Sequence, residues 1–170
     1  DPLGRHVLAT AARWWRATSR AGRFSVNLSP PQLLTDDLLA AVREAIRDNG
    51  LRPGDLELEI TENALVGLDD AVTERLRRLR ADGVAIAIDD FGTGFSSLQY
   101  LKRLPVDRLK IDRCFVQGIA ADQENQAIVR ALLTLGRDLG LRVTAEGVET
   151  AADASALARM GVTEAQGFFY

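Results

Sequence analysis

The sequence predicts an α/β fold of the TIM-like (β/α) barrel kind, incomplete in this chain, with about six of the usual eight strands present. Two observations carry that expectation. Short apolar segments, RFSVNLS, DLELEIT, GVAIAID, DRLKID, LRVTAEG and EAQGFFY, alternate with segments of helical periodicity. Nearly every strand then ends on a polar residue: Asn27, Glu59, Asp89 with Asp90, Lys110, Glu146 and Gln166. Short connections between alternating units imply parallel strands with right-handed crossovers, hence a barrel or a doubly wound sheet. The polar strand ends tilt the choice, because a barrel gathers all of them on one rim whereas an open sheet spreads them along a line.

Each element has its own warrant. From Leu3 to about Arg16, the residues Leu3, Val7, Leu8, Ala11 and Trp15 share one helical face. A second helix, Asp36 to Asn49, turns Leu38, Leu39, Val42 and Ile46 inward and stops at Gly50, a position suited to the left-handed C-terminal residue. In LELEIT the apolar Leu56, Leu58 and Ile60 take one strand face and Glu57, Glu59 and Thr61 the other. Asp69 or Asp70 opens a helix that runs through AVTERLRRLRAD to Gly83. The strand GVAIAID then meets Asp89 and Asp90, and Gly92 and Gly94 after it permit the backbone angles of a sharp turn. In LKID, Lys110 and Asp112 oppose Leu109 and Ile111. Further helices span roughly Asn125 to Gly140 and ADASALARM before Gly161.

The 170 residues suit one domain, and 46% hydrophobic with 26% charged is ordinary for a globular protein. The 21 basic and 24 acidic residues are spread along the chain without a basic stripe, which argues against a nucleic-acid polymer as partner. Cys114 is the single cysteine, so no internal disulfide forms. There is no leader-like segment and no apolar run of about 18 residues, so this domain is expected to make no membrane contact and to be cytoplasmic, though a longer parent could be tethered.

A single polar residue leaving a strand is ordinarily a loop residue or a helix cap. The set is harder to account for in that way. Interior carboxylates are costly unless paired, hydrogen-bonded or bound to a metal, and an inward lysine needs anions near it. Glu59, Asp89, Asp90 and Glu146 with Asn27 and Lys110 form an oxygen-rich group suited to Mg²⁺ or Mn²⁺. With one cysteine and one histidine in the chain, a thiolate–imidazole site is nearly excluded. This reading reaches a metal-dependent barrel enzyme and leaves the substrate open, since enolase-type sites draw on similar strand-end groups.

Six motifs in order, SVNLSP (25–30), LELEITE (56–62), DDFGTGFSSL (89–98), LKIDRCFV (109–116), TAEGVET (144–150) and AQGFFY (165–170), resemble the EAL domain, the family of cyclic di-GMP phosphodiesterases. The resemblance runs through the whole chain. It implies metal-dependent hydrolysis of cyclic di-GMP to linear pGpG in bacterial second-messenger signalling, with a non-catalytic cyclic di-GMP receptor as the alternative. By the same resemblance, Asn27, Glu59 and Asp89 look like ligands of a first Mg²⁺ or Mn²⁺, and Asp89 would bridge to a second held by Asp90 and Glu146. Lys110 resembles the lysine that contacts the attacking water or scissile phosphate, and Glu149 and Gln166 match positions that support the second metal and its water. Glu62 resembles the anchor of the DDFGTGFSS loop, to which Gly92, Gly94 and Ser96 belong. Phe95 stands where the family often has Tyr and Cys114 where it often has Ser.

The Glu-Ala-Leu motif that gives the family its name is missing, and the chain starts at DPLGRHVL. The expectation is therefore a single EAL-type domain over residues 1–170, truncated at its N-terminus and just short of the C-terminal helix, with hydrolysis impaired in this chain alone. The parent is expected to be a homodimer fused to sensor or GGDEF-type domains.

Overall fold

The computed structural model describes residues 2–18, 22–65, 69–94 and 98–170. In chain order the elements are α1 (Pro2–Ala17), β1 (Phe24–Leu28), the short α2 (Pro30–Leu33), α3 (Asp37–Asn49), β2 (Leu56–Thr61) and a 3₁₀ turn (Glu62–Leu65). There follow α4 (Asp70–Ala81), β3 (Ala85–Phe91), α5 (Leu98–Arg103), β4 (Arg108–Ile111), α6 (Arg113–Val116), α7 (Gln123–Leu139), β5 (Arg142–Ala145), α8 (Ala151–Arg159) and β6 (Glu164–Ala165).

The six strands among the described residues are all parallel, and their order in the sheet is their order in the chain. A doubly wound sheet reverses its strand order once at a switch point; this sheet never reverses, so it is the wall of a barrel. It is not closed, since among the described residues β1 pairs with β2 alone and β6 with β5 alone. Leu56, Leu58 and Ile60 pack with Val42 from α3 and Leu76 and Leu79 from α4 in the main core. A second cluster joins Ile111 and Val143 to Val129 of α7 and Leu157 of α8. The helices thus cover one face, which leaves the alternate residues of each strand to the concave face.

The predicted helix ends at Gly50 and Gly140 hold: both are left-handed, at φ 59° and 69°, and their amides bond back to carbonyls of the last turn. Three local readings change. The strand expected over residues 164–170 is only Glu164–Ala165, because the chain bends at Gln166 to lie against Val148. There a Cβ on Gly167 would stand 2.2 Å from the Val148 carbonyl oxygen. The helix expected from Asn125 begins at Gln123, since Asp122 accepts from the Asn125 amide and caps it. Asp112 does not continue the concave face beside Lys110; it caps α6 by accepting from the Cys114 amide at 2.8 Å.

Candidate metal and catalytic site

Parallel register places the strand ends side by side. Asn27 lies opposite Glu59, Thr61 opposite Asp89, and Lys110 opposite Thr144. On the concave face these ends converge on the Lys110 ammonium. Lys110 Nζ is 2.9 Å from Glu59 Oε1, 3.0 Å from Asp89 Oδ1 and 2.6 Å from Glu146 Oε1. Lys110 and Glu59 are buried, at 4% and 7% exposure. Burial alone disfavours the ammonium, but its hydrogen bonds to Glu146 and Glu59 outweigh that cost and raise its pKa.

Strict alternation would send Asp89 and Asp90 to opposite faces of β3. The structure avoids this with an irregularity. The β3–β4 register shifts between Ile88 and Phe91, and Asp90 adopts φ 54°, the left-handed region that Asp tolerates better than most side chains. The bulge turns Asp90 toward the same rim as Asp89, and oxygens of Asp89, Asp90 and Glu146 all lie within 4.8 Å of one another. Burial, then the charge of Asp89, holds the Asp90 carboxyl above its ordinary range. Asp112, which shares a hydrogen bond with Asp90, is lowered: burial acts upward on it, but bonds from Cys114 win. Its part in the site was not legible in LKID, where it read as a strand residue.

Glu146 follows β5 and accepts from Gln166 Nε2, so the bend after β6 brings Gln166 to the rim. Burial pushes the Glu146 carboxyl up to about 7, with Asp89 adding to the effect and Lys110 opposing it. The folded, metal-free protein therefore binds more protons than the unfolded chain between the ordinary value of 4.5 and about 7. Its stability through this group falls as pH rises across that window and levels off above it. Melting curves recorded in chelator should show this slope in the wild type and a flatter one in Glu146→Gln. A pH slope left unchanged in the variant would remove Glu146 as its source.

The loop after β3 is held from below. Glu62, 3% exposed, accepts from the Gly92 amide at 2.7 Å and the Gly94 amide at 3.2 Å. Gly92 has φ +102°, and a Cβ there would stand 2.8 Å from Phe115. Gly94 is different: its backbone is ordinary, and glycine is needed for space, since a Cβ would stand 2.9 Å from Asn63 Oδ1 and 3.0 Å from Glu62 Oε1. Ser96 of the same loop, with Phe95, lies outside the described residues. Glu62→Ala would strip these two amides of a charged acceptor and is expected to cost about 2 kcal/mol, read as a lower urea midpoint.

Glu149 is not a member of the Asp89–Asp90–Glu146 group; it is exposed and accepts from Gln117 Nε2 at 2.7 Å. Asn27 is exposed at the end of β1 and reaches the site only through its register with Glu59. Beside the rim, Asp90, Thr93, Asp112, Arg113, Glu146, Gly147 and Gln166 line an open cleft of about 500 Å³.

The donors suit a hard divalent cation. Asp89 Oδ1 is buried and, among the described residues, has no hydrogen-bond partner; the Lys110 ammonium stands 3.0 Å away in an ionic contact only. Three carboxylates, Glu59, Asp89 and Glu146, share one ammonium and Asp90 stands beside two of them, so the group carries an excess of negative charge offered entirely through oxygen.

Fold and site together define a barrel-type α/β domain with an acidic cluster, of a kind that could hold a cation, at the C-terminal ends of its strands. The chain belongs to the EAL domain family, whose model matches residues 1–170. It is 45% identical over 170 residues to the bifunctional diguanylate cyclase/cyclic di-GMP phosphodiesterase MucR of Pseudomonas aeruginosa, covering 98% of this chain and 25% of that protein. Among solved structures it superposes on the MucR phosphodiesterase in complex with c-di-GMP with a TM-score of 0.89 at 44% identity, covering 98% of this chain and 69% of that one. It also matches the manganese/cy-diGMP complex of Klebsiella pneumoniae BlrP1, with a TM-score of 0.90 and 31% identity over 99% of this chain and 44% of that one. No helix among the described residues is long and apolar enough to cross a membrane.

Proposed function

We propose that this domain hydrolyses one phosphodiester of cyclic di-GMP to give linear pGpG, with Mg²⁺ or Mn²⁺ at a two-metal site. The observation that carries the reading is the buried Lys110 ammonium held within 3.0 Å of Glu59, Asp89 and Glu146. It is supported by similarity to a cyclic di-GMP phosphodiesterase and to a manganese-bound relative.

Asn27, Glu59 and Asp89 would hold the first cation, and Asp89, Asp90 and Glu146 the second. When bound, two such ions lower the pKa of a water and offset charge on the attacking and leaving oxygens of an in-line displacement. Lys110 places a fixed positive charge beside the scissile phosphate, where negative charge grows in the transition state. Gln166 orients Glu146 through its amide and presents that end of the rim to substrate. Glu149, on the β5–α8 connection and bonded to Gln117, would support the second site only by turning toward it from outside the Asp89–Asp90–Glu146 group. Glu62 keeps the loop after Asp89 and Asp90 in place.

We place the domain within a longer cytoplasmic signalling protein with sensor or GGDEF-type domains, acting as a homodimer. Incubation of the full-length parent with cyclic di-GMP and Mn²⁺ or Mg²⁺, followed by chromatography, should yield pGpG, chelator should stop it, and residues 1–170 alone should turn over more slowly. Nucleotide binding without turnover at every metal concentration would instead assign a receptor.

A further inference from the structure

The strands carry a second polar tier one step below the first. Side chains return to the same strand face every second residue. Ser25, Glu57, Arg108, Thr144 and Glu164 therefore stand beneath Asn27, Glu59, Lys110, Glu146 and Gln166. Only β3 breaks the series: beneath Asp89 it has Ala87, fully buried and in register with Glu59 on one side and Arg108 on the other.

Arg108 uses the room that Ala87 leaves. Its Nε donates to Glu57 Oε2 at 3.0 Å, across β3, and its Nη1 donates to Thr144 Oγ1 and Glu164 Oε2. Arg23 Nη1 donates to the same Glu57 oxygen at 2.7 Å. One guanidinium, 8% exposed, thus links β4 to β2, β5 and β6. Those are the strands from which Glu59, Lys110, Glu146 and Gln166 come.

We infer that Arg108 is a positioning residue for the rim above it, holding the four strands at the spacing that brings Glu59 and Glu146 onto Lys110; the inference rests on the phosphodiesterase reading of that rim. A buried ion network of this kind is weak evidence for stability, because desolvation offsets much of its attraction. Its planar, forked donor set gives it directional value that an ammonium lacks. Misplacement by about 1 Å at a catalytic centre costs on the order of a hundredfold in rate, so strand spacing is where a distant residue acts.

The test compares the wild-type protein with Arg108→Met, Arg108→Lys and Ala87→Leu, the last of which blocks the path across β3 while keeping the arginine. Each is assayed at a temperature where circular dichroism shows it folded, for kcat and KM with cyclic di-GMP and for Mn²⁺ affinity by calorimetry. Arg108→Met and Ala87→Leu should lower kcat at least about tenfold with KM within about threefold, and should weaken Mn²⁺ binding. Arg108→Lys should fall between them and the wild type. Folded variants whose kcat and Mn²⁺ affinity stay within about twofold of wild type would reduce Arg108 to a stabilising residue. Should Arg108→Met not fold, the other two variants carry the same comparison. If the wild type binds nucleotide without turnover, the phosphodiesterase reading fails and the Mn²⁺ affinities alone decide the role of Arg108.

Discussion

Glu59→Ala should abolish turnover of cyclic di-GMP, with a loss beyond about a hundredfold, through lost metal affinity. Glu59 is 7% exposed and aimed across the sheet at the Lys110 ammonium, 2.9 Å away. Its register partners, the neutral Asn27 on β1 and the small Ala87 on β3, bring no carboxylate to its own position. The fold should survive, because Leu58 and Ile60, on the helix-facing side of the same strand, keep their packing. Calorimetric titration with Mn²⁺ should show weakened binding, and Glu59→Gln, equal in volume, should behave like the alanine variant. Full activity in either variant would exclude Glu59 as a metal ligand.

Lys110→Ala should lower turnover with cyclic di-GMP binding largely retained, since the ammonium acts on charge that develops at the phosphate. The variant should also expose what the lysine does without metal. Its side chain is 5% exposed and faces three carboxylates, which its removal leaves crowded and uncompensated. Breaking a buried pair of this kind costs about 3 kcal/mol, to be read from urea unfolding in chelator. Added Mn²⁺ should restore much of that loss, since binding to the folded state alone stabilises it. Unchanged turnover in Lys110→Ala would overturn the catalytic assignment, and unchanged stability in chelator would overturn the counter-ion role.

Much of this architecture is legible in single strands and helices. LELEIT already separates Leu56, Leu58 and Ile60 from Glu57 and Glu59, because the two-residue period of a strand is local. Gly50 and Gly140 mark helix ends for an equally local reason. Reading failed where a residue's role depends on a partner far along the chain. Asp112 looks like the next strand residue after Ile111 until α6 claims it as a cap. Gly94 looks like a flexible turn residue until Glu62 and Asn63 are seen to fill the space where its side chain would be. Arg108 carries no signal of its own in DRLKID, and its role emerges only when Glu57 and Glu164 meet it across the sheet.

The alternation of strands and helices, the polar strand ends and the all-oxygen character of the site are already written in the order of the residues. These are properties of residue type and short-range period, so they need no distant partner. Long-range packing is what keeps the sheet in sequential order, sets Lys110 at the centre of three carboxylates, and lets a bulge bring Asp89 and Asp90 to one rim. Each of those depends on which strands lie side by side and in what register. In a parallel sheet that is set by contacts between segments tens of residues apart.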